Sequence, residues 1–269
     1  MNRLNPRYTL AVGEAAVMRL ELLHRVYGPG TEQVLSTVGI QPGMVIADVG
    51  CGVGTVSRWL APQIGPTGIV WCVDNSSEQL DVAQSSAGKL GQSNIRFLES
   101  SADDIDLPDA SVDLAYCRFL LDHLTEPGAA VAEMQRILKP GGALVAEALD
   151  FTGMTSDPPH PAYTHEVEYI RQQNEHRNVD AGSGLRIHRL FRSAGFTGIN
   201  VTLNQPAYLD GDEKRFWEYS VAEKANTLIE LGLATTAEIE QRVTEMRKVN
   251  LDASILVALP RCVQVWARK

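Results

Sequence analysis

Met44-Val45-Ile46-Ala47-Asp48-Val49-Gly50-Cys51-Gly52-Val53-Gly54-Thr55 decides how the rest of this chain is read. Met44 to Val49 is an apolar run with one acid near its end, which suits a strand buried on both faces of a parallel sheet. Gly50, Gly52 and Gly54 lack β-carbons and let the backbone come close to a ligand. Val56 to Ala61 then reads as a helix whose N-terminal amides point at that ligand. Strand, loop and helix together predict a site for a nucleoside-type molecule.

Two kinds of ligand use such a loop. Dinucleotides prefer GxGxxG, with a pyrophosphate over the turn. Here the spacing is GxGxG, and Thr55 stands where the dinucleotide pattern places its third glycine. Asp48 would also set a carboxylate beside the pyrophosphate and repel it. A cationic ligand suits that acid better, and S-adenosylmethionine carries both a sulfonium and an ammonium. A nicotinamide-dependent oxidoreductase remains an alternative, as does a protein that binds S-adenosylmethionine without transferring its methyl group.

Downstream, Ile69 to Val73 reads as a second buried strand closed by Asp74, twenty residues beyond Gly54. An acid there is placed to accept hydrogen bonds from both ribose hydroxyls of an adenosine. The alternative is a cap for the helix Glu78 to Lys89, a role open to Asn75 and Ser76 as well. A third strand is read over Ile95 to Glu99 and a fourth over Val112 to Cys117. A helix from Pro127 to Leu138 and a turn at Lys139-Pro140-Gly141-Gly142 lead to a fifth strand, Ala143 to Ala148.

Asp48 to Gly54, Asp74, and the Lys139 to Gly142 turn with its strand, in this order, resemble the motifs of class I S-adenosylmethionine-dependent methyltransferases. The similarity is to the small-molecule type of quinone and natural-product pathways. It implies an α/β, Rossmann-like fold with seven mostly parallel strands flanked by helices. It also implies S-adenosylmethionine as cofactor and S-adenosylhomocysteine as product. Carried onto this sequence, the cofactor contacts fall on Asp48, Gly50, Cys51, Gly52, Gly54, Thr55, Asp74 and Asn75. Related enzymes carry an adenine-binding acid where this chain has Ser101, so Ser101 and Ala102, with Asp103 behind them, are assigned to the base. Cys117 and Arg118 fall where the family lines the methyl donor, and Glu147 offers Arg118 a buried acid. Tyr8 matches the aromatic residue that a leading segment brings near the cofactor, or it packs the first helix onto the core.

Methyl transfer from a sulfonium is an in-line displacement that rests on alignment and exclusion of water. An oxygen, nitrogen or carbon acceptor that must lose a proton needs a base, and His123, just past the fourth strand, is the positional candidate. Its alternative role is to cap or pack the following helix. Asp150, His160, Tyr208 and Trp217 are read as substrate-pocket residues, with core packing as the alternative for the aromatic pair.

The remaining chain organises around this core. Residues 1–40 are expected to form a helical cap of two helices broken at Gly28-Pro29-Gly30. Residues 41–208 form the cofactor-binding core, 209–257 a helical lid inserted before the last strand, and 258–269 that strand, expected to be antiparallel. The 269 residues carry a net charge of −9, which argues against a nucleic-acid partner. No stretch approaches the roughly 20 apolar residues of a membrane span, and no signal peptide is read, so the expectation is a cytoplasmic protein acting on a small molecule. The four cysteines form no CxxC pair, and no metal site is expected. Oligomeric state is not legible.

Overall fold

The computed structural model describes residues 17–176 and 183–269. Tyr8 and residues 1–16 lie outside them. The elements run α1 (Val17–Val38), β1 (Val45–Val49), α2 (Thr55–Ile64), β2 (Ile69–Asp74), α3 (Ser77–Lys89), β3 (Ile95–Glu99), β4 (Val112–Arg118), α4 (Pro127–Ile137) and β5 (Leu138–Asp150). They continue with β6 (Thr155–Asp157), α5 (Pro161–His176), α6 (Ile187–Ser193), β7 (Thr197–Asn204), β8 (Ala207–Tyr208), α7 (Phe216–Glu223), α8 (Ala225–Glu230), α9 (Thr236–Leu251), β9 (Leu256–Ala258) and β10 (Arg261–Arg268).

Seven strands form the main sheet in the order β3-β2-β1-β4-β5-β10-β7, with β10 antiparallel to both neighbours. β1 pairs with β2 on one side and β4 on the other, which is why its apolar residues Ile46, Ala47 and Val49 are fully buried. One face of the sheet is covered by α4 and α6 through Met134, Ile137 and Phe191. The other is covered by α2, α3 and the second half of α1, through Leu60, Ile64, Leu80, Val34 and Leu35. The chain order reverses between β1 and β4, and the crevice beyond the carboxyl ends of these strands is where such sheets hold ligands.

Two local expectations are corrected. The helix does not break at Gly28-Pro29-Gly30: α1 runs unbroken through Pro29. Packing on both sides outweighs the lost backbone hydrogen bond, with Leu22, Leu23, Val26 and Tyr27 in one core and Val34, Leu35 and Val38 in another. The Thr31 hydroxyl lies 3.3 Å from the Tyr27 carbonyl on the same turn. Lys139 to Gly142 is a bulge inside β5 rather than a turn before it, since Leu138 already pairs opposite Val112 and Ala143 opposite Leu114.

Beyond β5, three short segments missed in the sequence, β6, β9 and β8, form a second sheet in that order. It ties the stretch after β5 to the region of α7, α8 and α9. These helices share a separate core with α5 and the first half of α1, built on Tyr163, Phe216, Trp217, Met246 and Leu259. Buried charge is matched inside it. Arg242 gives Glu166 a forked ion pair at 2.7 to 3.0 Å, and the indole of Trp217 donates to the same carboxylate at 3.0 Å. Lys214, fully buried, donates to the carbonyls of Leu209 and Asp252.

Candidate functional site

A cavity of about 420 Å³ opens at the carboxyl ends of β1, β2 and β4, roofed by the first turns of α1. Its floor is the glycine loop. Gly50, Gly52 and Gly54 all have left-handed φ values, of 71°, 55° and 73°, so the loop cannot be drawn with side chains without strain. A β-carbon on Gly50 would also sit 2.8 Å from Leu120.

Asp74, at the end of β2, ties this loop down. One carboxylate oxygen accepts the Gly52 amide at 2.9 Å and the other accepts the Ser76 amide at 3.0 Å. Burial raises its pKa above the usual carboxylate value, against the pull of these amides. Ser76, not Asp74, caps α3 by accepting the Gln79 amide. An ionised carboxylate has about four acceptor positions, so Asp74 keeps capacity for two further donors.

Asp48 lies deeper. Burial lifts its pKa to about 6, while the Ser57 hydroxyl, donating at 2.5 Å, and the charge of Arg118 pull it back. Arg118, at the end of β4, reaches the hydroxyls of Thr31 at 3.2 Å and Thr55 at 3.5 Å, and its guanidinium lies 3.4 Å from Nδ1 of His24. Burial, then Arg118 and Arg58, depress His24 to a pKa of about 4, so it is neutral at pH 7. The expected Arg118 to Glu147 pair is replaced by a relay. Glu147, fully buried, accepts from Thr31 at 2.7 Å, Tyr116 at 2.6 Å and Gln264, and only Thr31 touches Arg118.

The cavity brings together Asp48, Gly50, Cys51, Gly52, Thr55, Asp74, Asn75, Ser101, Ala102, Asp103, Arg118 and His123. Ser101 donates its hydroxyl to Asp103, which shapes that corner. Gly54 and Cys117 stand behind the lining, Gly54 against Ala83 and Cys117 buried in the sheet core. Asp150, His160, Tyr208 and Trp217 do not reach the cavity wall. The carboxylate of Asp150 is occupied by Arg261 and Thr152, and His160 accepts the Ala162 amide at the start of α5. Trp217 packs on Phe151 in the second core, and Tyr208 is half-buried beside it on β8.

Among the lining residues not assigned to the site from the sequence are Arg19, Leu20 and Leu23 of α1, and Phe119. Leu20, Leu23 and Tyr27 follow helical spacing, so the signal lay in asking which stripe of this helix faced the glycine loop. Phe119 carried no such signal. It holds a left-handed φ of 55°, which costs a non-glycine residue about 1–3 kcal/mol. Its amide donates to the Glu147 carbonyl at 2.7 Å and its ring meets Tyr27 edge-on at 5.2 Å, and these contacts hold it there.

The methyltransferase domain family matches residues 47–146, which span β1 to β5. Over 190 residues, 70% of this chain and 75% of the relative, the sequence is 30% identical to the ubiquinone/menaquinone biosynthesis C-methyltransferase UbiE of Paraburkholderia xenovorans. The chain belongs to the class I S-adenosylmethionine-dependent methyltransferases. The Laribacter hongkongensis UbiE is 34% identical over 52% of this chain and 55% of its own length. The matched stretch thus spans about half the length of several of these relatives. Among solved structures, the YcgJ protein of Bacillus subtilis superposes with a TM-score of 0.60 at 19% identity, covering 91% of this chain and 98% of that chain, and so shares its fold. Among the described residues no helix is long and apolar enough to cross a membrane.

The residues present fit the family's cofactor. The three left-handed glycines leave room above the loop, Asp74 retains acceptor capacity for a pair of vicinal hydroxyls, and Asp48 supplies negative charge where a cation would lie.

Proposed function

We propose that this protein transfers a methyl group from S-adenosylmethionine to a small-molecule acceptor. The observation that carries the reading is Asp74, which closes β2 with both oxygens anchored to backbone amides and faces the cavity beside the glycine loop. Asp74 would receive the ribose hydroxyls, Ser101, Ala102 and Asp103 would border the base, and Asp48 and the loop would hold the amino-acid end. The bound cofactor supplies an electrophilic methyl group on a sulfonium. The protein's part is to orient the acceptor, exclude water and, where the acceptor carries a proton, remove it.

His123 lines the cavity just past β4, which supports it as the group that would take such a proton. Leu20, Leu23, Phe119, Leu120 and Leu124 add an apolar wall, which supports an acceptor with an apolar body. The relatives named as quinone C-methyltransferases support a small molecule as acceptor, with the atom methylated left to experiment.

Calorimetric titration of the ligand-stripped protein with S-adenosylmethionine and S-adenosylhomocysteine, with NAD as control, tests the reading. Binding of both with none for NAD is expected, followed by methyl transfer in an acceptor screen. Binding without turnover on any acceptor would favour a member of the fold that keeps the cofactor without using its methyl group.

A further inference from the structure

The main sheet ends on β7, which has β10 on one side and no strand among the described residues on the other. The alternate backbone amides and carbonyls that do not face β10 therefore form an open edge. Folded proteins blunt such edges with charge or proline, and the opposite edge obeys, with Arg96 and Glu99 in β3. β7 does not: Thr197–Asn204 holds neither a charged residue nor a proline. Its pairing with β10 is regular from Asn200 to Asn204, with the irregularity confined to the start of the strand.

Val201 and Leu203 sit opposite Val265 and Val263, which belong to the core under α4 and α6. They share that face of the sheet, yet they are 53% and 51% exposed, so α6 leaves them uncovered at the margin. Asn200, Thr202 and Asn204 alternate with them on the other face. Open backbone groups beside an apolar pair are the two features that strand addition uses.

Charge narrows what fits. The chain carries a net charge of −9, yet from Ala181 to Leu209 it has no aspartate or glutamate and three arginines, Arg186, Arg189 and Arg192. Arg189 and Arg192 are exposed on α6, which packs against β7. α4, which also packs on α6, contains one acid, Glu133, and Arg136 holds it. A second copy paired edge to edge would bring two like-charged α6 helices together, which disfavours it. A lipid surface would leave the open amides and carbonyls without partners.

We propose that β7 is a docking edge that takes an extended acidic segment of another protein as an added strand, with apolar residues over Val201 and Leu203 and carboxylates toward Arg189 and Arg192. None of these four residues lines the cofactor cavity, and the proposal does not rest on methyl transfer.

The probe is a blocked, fluorescent peptide, Asp-Glu-Val-Thr-Val-Thr-Val-Glu-Asp, titrated with the full-length protein and read by anisotropy. One control peptide carries lysine for each acid, and another is N-methylated throughout its Val-Thr core. The acidic peptide should bind about tenfold or more tighter than either control, and its affinity should fall as salt rises. Hydrogen exchange should slow at alternate amides of residues 200–204 in the complex. Val201→Glu with Leu203→Glu, and separately Arg189→Gln with Arg192→Gln, should each weaken binding by about tenfold while thermal unfolding stays at the wild-type temperature. No binding, equal binding of the acidic and lysine peptides, or binding undiminished by N-methylation would overturn the proposal. Dimerisation in sedimentation that Val201→Glu with Leu203→Glu abolishes would give the edge to a second copy and overturn it too. So would binding to phosphatidylglycerol vesicles that depends on Arg189 and Arg192 in the absence of peptide binding.

Discussion

The carboxylate of Asp74 accepts the backbone amide of Gly52 across 2.9 Å, so the end of β2 and the middle of the glycine loop are one rigid unit. The residue proposed to hold the ribose is also the one that fixes the loop's shape. Asp74→Ala is expected to weaken S-adenosylhomocysteine binding by about 1–3 kcal/mol through lost charge-assisted bonds. Calorimetry measures this directly, and an unchanged affinity would remove Asp74 from the ribose role.

Gly50→Ala places a side chain at a φ of 71° and a β-carbon 2.8 Å from Leu120. Leu120 must shift into the cavity it lines, so both stability and ligand binding should suffer. A loss of about 1–3 kcal/mol in urea denaturation is expected for the strained backbone. A variant as stable as wild type would show that the loop can adopt another conformation.

His123→Ala should leave cofactor affinity nearly unchanged while slowing methyl transfer by about 100-fold or more, if the acceptor must lose a proton. Single-turnover rates with a cognate acceptor read this out. An unaffected rate would leave His123 as part of the wall.

The pH dependence of stability should carry two opposed contributions. Asp48 has its pKa raised to about 6, so its contribution is full below its ordinary value and is lost as pH rises through 6. A rise of about two pH units corresponds to roughly 3 kcal/mol. Asp48→Asn should therefore gain on wild type between pH 4 and 7. His24 has its pKa lowered to about 4, so its contribution is present above its ordinary 6.5 and lost as pH falls toward 4. His24→Gln should flatten that acid limb. Denaturation curves across pH 4 to 8 test both, and pH-independent differences from wild type would contradict the burial of these groups.

Arg242→Met would strand Glu166 in the second core with only the Trp217 indole as donor. A loss of about 3–5 kcal/mol is expected, largely recovered by adding Glu166→Gln. If the single variant unfolds at the same denaturant concentration as wild type, the pair contributes nothing to the helical region over the sheet.

The sheet and the glycine loop were legible because β1, β2, β4 and β5 are largely buried and write themselves as apolar runs, β1 closed by glycine and β2 and β5 by an acid. Asp48, Asp74, Gly50 and Gly52 could be placed at one cavity for the same reason, since strand ends are fixed by the sheet. The break at Gly28-Pro29-Gly30 failed because local propensity was overruled by contacts with distant segments. Asp150 and His160 lie off the cavity wall for a different reason. Each follows a recognisable strand, yet partners supplied by Arg261 and by the first turn of α5 had no signature to announce that their polar atoms were already taken.

The unbroken α1 has a consequence for how the protein is made. Tyr27 donates its hydroxyl to the Pro260 carbonyl, Gln264 donates to the Gly30 carbonyl, and Arg268 donates to the Val38 carbonyl, across 233, 234 and 230 residues of sequence. During synthesis the helix leaves the ribosome long before the strand to which it is stitched, and contacts so remote in sequence form late. The roof of the cavity is thus translated more than 200 residues ahead of the strand that fastens it.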